Sequence, residues 1–161
     1  MNHDAVLLDT SFFIQLLNPN YDFHENAKGY FKYFLENEIS LVCSTISVGE
    51  FCVVGGLEDL PLRNLQILPF NLNHAKRTGE LASIAFEARR NKALETKERL
   101  IIPNDTKLFS QADTELNIKY YLSADSESNK VYKFLMQTQN LNFRFLELSI
   151  SHYQSFGLLG L

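Results

Sequence analysis

The sequence has little of what marks several broad classes of protein. It holds two cysteines, Cys43 and Cys52, in 161 residues. That number and spacing exclude a disulfide framework and a cysteine metal site. Both thiols lie in apolar stretches and read as buried and free. No apolar run is long enough to span a bilayer, and Met1-Asn2-His3-Asp4 lacks a basic region followed by an apolar one. A cytoplasmic location without a membrane partner is the expectation. No repeat, low-complexity tract or linker divides the chain. One domain over residues 1–148 follows, with a tail over 149–161 that packs on the domain or on a partner. There is no basic excess either: the net charge is −4, which excludes a surface coated in lysine and arginine for gripping long nucleic acid. Basic residues cluster only between Glu87 and Arg99, where Arg89, Arg90, Lys92, Lys97 and Arg99 alternate with glutamates. A mixed run of this kind reads as a solvated helix end and loop, or as a small phosphate-contacting patch.

What is present is enough for a core: 45% of residues are apolar and 21% charged. Short apolar runs bounded by polar residues predict strands at Ala5–Leu8, Ile39–Cys43, Leu65–Leu68, Leu100–Ile102, Lys119–Ser123 and Phe143–Leu148. Helical spacing predicts helices over Thr10–Leu17, Phe23–Asn37, Ile46–Val54, Asn71–Arg90, the segment after Asp105, and Glu127–Thr138. In the longest of these, Leu72, Ala75, Gly79, Ala82 and Phe86 form the expected inner stripe. Strands alternating with helices give an α/β fold with a parallel sheet and right-handed crossovers.

Four acids stand at corresponding places in this pattern. Asp9, Asp105 and Asp125 each follow the end of an apolar run, and Glu50 lies early in the helix after another. Each has a plain structural explanation. Asp9, Asp125 and Asn104 or Asp105 can cap helices, and Glu50 can complete a capping box with Ser47. As a set they say more, because open parallel sheets gather ligands at the carboxyl ends of their strands. Four like charges converging there repel unless a cation compensates. All-oxygen ligands favour magnesium or manganese over zinc, and His3, His24, His74 and His152 are scattered far from the acids in sequence. Such a cation suits phosphodiester hydrolysis. Thr10, Ser11, Asn104 and Ser123 stand beside the acids and can orient them or a water.

The ordered motifs Leu8-Asp9-Thr10-Ser11, Ser47-Val48-Gly49-Glu50, Ile102-Pro103-Asn104-Asp105 and Leu122-Ser123-Ala124-Asp125 resemble those of the PIN-domain nucleases. The match extends over about residues 5 to 148 and includes Ile67-Leu68-Pro69-Phe70 before the long helix. The resemblance implies a three-layer α/β sandwich around a mostly parallel five-stranded sheet. It also implies an Mg2+- or Mn2+-dependent endoribonuclease with Asp9, Glu50, Asp105 and Asp125 as catalytic metal ligands. Within the family a free-standing domain is most similar to the VapC-like toxins, usually homodimers silenced by a small antitoxin protein that covers the acidic pocket. After Asp125 the sequence departs from the family, with Ser126-Glu127-Ser128-Asn129 in place of the usual continuation. The alternative from another class is a PIN-like nucleic-acid- or protein-binding module with little activity. A haloacid-dehalogenase phosphatase fits less well, because Ser11 stands where that chemistry needs a second aspartate.

Overall fold

The computed structural model describes residues 3–97 and 101–158. Its centre is Ala5–Leu8 (β1), four apolar residues all fully buried, as a strand covered on both faces requires. Alternation sends Ala5 and Leu7 into one core cluster and Val6 and Leu8 into another. Ser40–Ser44 (β2) and Ile118–Ser123 (β4) flank it, and Leu65–Leu68 (β3) and Arg144–Glu147 (β5) complete the sheet. The strand order is β3-β2-β1-β4-β5, and every pairing is parallel.

Helices close both faces. Thr10–Leu17 (α1), His24–Glu36 (α2) and Thr45–Phe51 (α3) cover the Val6 and Leu8 side with Phe12, Phe13, Tyr30, Phe34 and Phe51. Each of these fully buried side chains contributes about 1.5–3 kcal/mol of transfer free energy. Leu72–Arg90 (α4), Ile101–Thr114 (α5) and Ser126–Met136 (α6) cover the other side through Leu81, Ala85, Phe109, Val131 and Leu135. The result is the expected three-layer α/β sandwich.

Three expectations are corrected. Ile101 and Ile102 do not form a strand; they begin α5, while Leu100 lies outside the described residues. Pro103 is tolerated in this first turn because the backbone N–H groups there have no intrahelical acceptor to lose. In α4 the buried stripe is His74, Leu81, Ala85 and Ala88, while Leu72 is 84% exposed. His74 fixes that rotation. Its Nδ1 accepts from Asn71 N at 3.0 Å in a capping box, so its Nε2 carries the proton and donates to Glu115 at 2.8 Å. Cys43 is buried as expected, with burial pushing its thiol up to about 12, but Cys52 is exposed.

Beyond β5, His152–Ser155 forms a short helix (α7) against α2. Phe156 stacks on Tyr33 with ring centroids 4.5 Å apart, and Tyr30 Oη donates to the Ile150 carbonyl at 2.9 Å. Among the described residues no helix is long and apolar enough to cross a membrane.

Candidate active site

From β1 the chain first builds outward through β2 to β3, then crosses back to place β4 and β5 on the other side. The strand order therefore reverses between β1 and β4, and a cleft forms at the carboxyl end of such a switch point. Here it has a volume of about 260 Å³ and is lined by Asp9, Thr10, Ser11, Glu50, Asn104, Asp105 and Asp125, with Ile14, Ile101 and Leu108 on its apolar wall. All four predicted acids thus reach one cavity, from both helix layers and the sheet edge. Ser123 touches it through Asp9.

Asp9 occupies the N-cap position of α1 but makes no side-chain capping bond. Its Oδ2 instead accepts from Ser11 Oγ at 2.7 Å and Ser123 Oγ at 2.8 Å. Those hydroxyls are themselves oriented by backbone donors: Ala124 N reaches Ser11 Oγ at 2.9 Å and Asp125 N reaches Ser123 Oγ at 3.1 Å. The turn after β4 is thereby tied through two serines to the end of β1. Burial pushes the Asp9 carboxyl above its ordinary range, the two serine hydrogen bonds oppose that shift, and the charge of Asp125 adds to it.

Glu50 does not form the capping box expected with Ser47. Ser44 caps α3 instead, accepting from Ile46 N at 3.0 Å. Glu50 Oε2 accepts the Thr10 hydroxyl at 2.5 Å, a charge-assisted bond that links α1 to α3. Asp125 serves both its roles. Its Oδ1 accepts from Glu127 N at 2.8 Å and Ser128 N at 3.4 Å, capping α6, and the residue also lines the cleft.

Asp105 differs from the other three. It sits inside α5, not at a strand end, and neither it nor Asn104 is a cap. Its Oδ2 is buried and has no hydrogen-bond partner among the described residues. Burial, with the charges of Asp9, Asp125 and Glu50 added, raises its carboxyl from 3.8 to about 8. A buried carboxylate oxygen without a donor, facing three more acids, is the chemistry a hard cation satisfies. The donor set fits such an ion. The spacing is looser, since among the described residues no three acidic, imidazole or thiol groups are gathered closely enough to hold one as they stand.

Among the described residues, none of the basic residues of the 87–99 run lines the cleft. Arg89 and Arg90 line a separate pocket with Ser83 and Phe86. Arg89 Nε donates to Thr96 Oγ1 at 3.1 Å, and Lys97 N donates to Glu127 at 2.9 Å. Lys92 has a positive φ of 58°, and Arg99 lies outside the described residues. Sequence reasoning missed the apolar wall. Its members stand one helical turn from residues that were picked: Ile14 from Thr10, Leu108 from Asn104, Ile101 from Asp105. That i, i+4 relation was the available signal.

No family model and no curated relative matches the sequence. Solved structures do match the fold. A chain of VapBC2 from Rickettsia felis, bound to a DNA fragment from its promoter, aligns with a TM-score of 0.57 at 16% identity, covering 88% of this chain and 98% of that one. A chain of DNA-bound VapBC from Salmonella typhimurium gives 0.56 at 15% identity, with 90% and 98% covered. VapC20 from Mycobacterium tuberculosis, a toxin that cleaves the Sarcin-Ricin loop, gives 0.50 at 17% identity, with 78% and 93% covered.

Proposed function

We propose that this chain, which has the fold of the VapC PIN-domain toxins, is a metal-dependent endoribonuclease and the toxin of a toxin–antitoxin pair. The observation that carries the reading is the arrival of Asp9, Glu50, Asp105 and Asp125, from four separate segments, in one cleft at the topological switch point. The fold likeness to proteins solved as VapBC complexes and to an RNA-cleaving toxin supports it.

In this reading the four carboxylates hold Mg2+ or Mn2+, with Asp9 the most firmly placed and Asp105 supplying the unpaired buried oxygen. Bound there, the ion supplies Lewis-acid polarisation of a phosphoryl oxygen and lowers the pKa of an attacking water. The residues of the chain do the rest. Ser11 and Ser123 fix the Asp9 carboxylate by two donated hydrogen bonds. Thr10 holds Glu50 at the rim, where its carboxylate orients a water or takes its proton. Ile14, Ile101 and Leu108 limit water on one wall. The pocket of Arg89 and Arg90 is the candidate for contacting RNA phosphates outside the cleft, with Lys92, Lys97 and Arg99 nearby in sequence.

A partner surface adjoins the cleft. Ile14, Leu17, Tyr21, Phe51 and Val54 line a second cavity of about 450 Å³, and Ile14 belongs to both. Val53 and Val54 are 84% and 70% exposed. An antitoxin segment with an apolar face fits this groove and would cover the acids from it. A homodimer is the expected assembly.

The test is cleavage of a fluorophore–quencher RNA by protein purified free of host nucleases, with and without manganese. Metal-dependent cleavage that falls about 10³-fold, near 4 kcal/mol of barrier, in Asp9→Asn is the expected result. Equal cleavage by wild type and by the Asp9→Asn, Asp105→Asn double variant would overturn the mechanism. The loose spacing of the acids favours one competing reading, a PIN-like binding module without activity. Calorimetry separates the two, because the module binds no manganese at millimolar concentration.

A further inference from the structure

Three buried oxygens with no hydrogen-bond partner among the described residues occur where α5, β4 and α6 meet: Asp105 Oδ2, Tyr121 Oη and Ser128 Oγ. Tyr121 is fully buried and Ser128 is 1% exposed. Buried polar groups are almost always satisfied, so three orphans at one junction call for a common explanation. The contacts supply one. The Tyr121 ring packs edge-on against Phe109, one helical turn beyond Asp105, with centroids 5.2 Å apart. This brings the ring to the α5 turn that carries the acid. Ser128 stands close enough to Asp105 and Tyr121 to favour the charged form of each, yet meets hydrogen-bond geometry with neither. Its backbone N–H is already committed to Asp125 Oδ1, so the residue is anchored between two of the four acids. Hydroxyl hydrogens rotate freely, and both hydroxyls can donate to a carboxylate that can only accept when ionised.

We propose that Ser128 and Tyr121 are positioning residues for Asp105. Their hydroxyls hold its buried oxygen from beneath, leaving the other oxygen to face the cleft. The pair does for Asp105 what Ser11 and Ser123 do for Asp9. Ser128 falls in the segment Ser126-Glu127-Ser128-Asn129, so the unusual continuation after Asp125 supplies a support in place of what it lacks. The inference rests on the nuclease reading for its purpose and not for its test.

The test has two parts. In metal-free protein, urea midpoints are measured for Ser128→Ala and Tyr121→Phe in the wild-type background and again in Asp105→Ala. Each hydroxyl deletion is expected to lower the midpoint in the first background and to have little effect in the second. Additive losses would overturn the proposal whether or not the protein is a nuclease. In the second part manganese is titrated calorimetrically. Ser128→Ala is expected to weaken binding about 10-fold, as loss of an outer support typically does, with Ser128→Thr restoring most of it. In cleavage assays the metal concentration at half-maximal rate should rise while KM for RNA stays unchanged. Coupling in urea without manganese binding by the wild type would retain the positioning pair and remove the metal reading. Wild-type manganese affinity in Ser128→Ala and Tyr121→Phe would remove the pair from any role in ion binding and overturn the proposal.

Discussion

The two sides of the acidic cleft are built differently. On the sheet-edge side, Asp9 accepts two serine hydroxyls that are themselves held by backbone N–H groups, so its place is set before any ligand arrives. On the helix side, Asp105 presents a buried oxygen that completes no hydrogen bond among the described residues, and burial raises its carboxyl to about 8. The difference separates geometry from charge. One acid is a fixed point, and the other stores electrostatic cost that a cation or a proton relieves. On the nuclease reading, the first would fix where an ion sits and the second would offer it an unpaired oxygen to satisfy.

The largest effect should come from removing that stored cost. The folded pKa of Asp105, about 8, lies above the ordinary 3.8. Below pH 3.8 both folded and unfolded chains hold the proton, and the group contributes nothing. Between the two values the folded state binds more protons, so metal-free stability falls as pH rises, and the full penalty is present above about 8. Asp105→Asn should therefore stabilise metal-free protein at pH 8 by about 1–3 kcal/mol, after discounting for partial exposure. Thermal melts should show a gain of several degrees at pH 8 and almost none near pH 4. An equal gain at both would mean that repulsion is not the cause.

Ser11→Ala tests the fixed side. It deletes one donor to Asp9 and leaves Ala124 N unpaired, so a loss of about 1–2 kcal/mol is expected in urea unfolding. Catalytic rate should fall roughly 10-fold if Asp9 needs that support. A stability loss without a rate loss would show that Ser123 alone suffices. The smallest effect belongs to Thr10→Val, which keeps shape and removes the hydroxyl bonded to exposed Glu50. Stability should change by about 1 kcal/mol or less, because Glu50 can return to water. The rate should fall several-fold, and an unchanged rate would place Glu50 outside the chemistry.

How much of this was legible in the sequence differs by residue. Ala5–Leu8 and Thr10–Leu17 were bounded correctly, since an all-apolar run stopped by Asp9 and followed by helical spacing admits few other readings. Leu100–Ile102 misled because a three-residue apolar run before a proline has no periodicity to separate strand from helix. Asp105 reaches the cleft by a different route from the one expected, from a helix turn and not from a strand end. The inner face of α4 was misjudged because its small residues are spread around the helix, and the contact that orients it, His74 with Glu115, joins residues 41 apart. The capping alternatives were decided only by geometry. Asp125 caps, Asp9 does not, and Ser44 caps α3 while Ser47 forms no capping box with Glu50. Tyr121 carried no signal, because a tyrosine in an apolar strand reads as core, and Ser128 stood out only as part of the departure after Asp125.

The bond from Ser123 to Asp9 spans 114 residues of sequence. β1 precedes β4 in the chain, and it must wait for β4, its partner at the switch point, before the carboxylate has its second donor. Until that late pairing forms, Asp9 is one solvated side chain on an unfinished sheet. On the nuclease reading, a chain made only as far as β3 has no assembled site with which to attack RNA. On that reading, the sheet order delays the completed site until β4 has been made and paired.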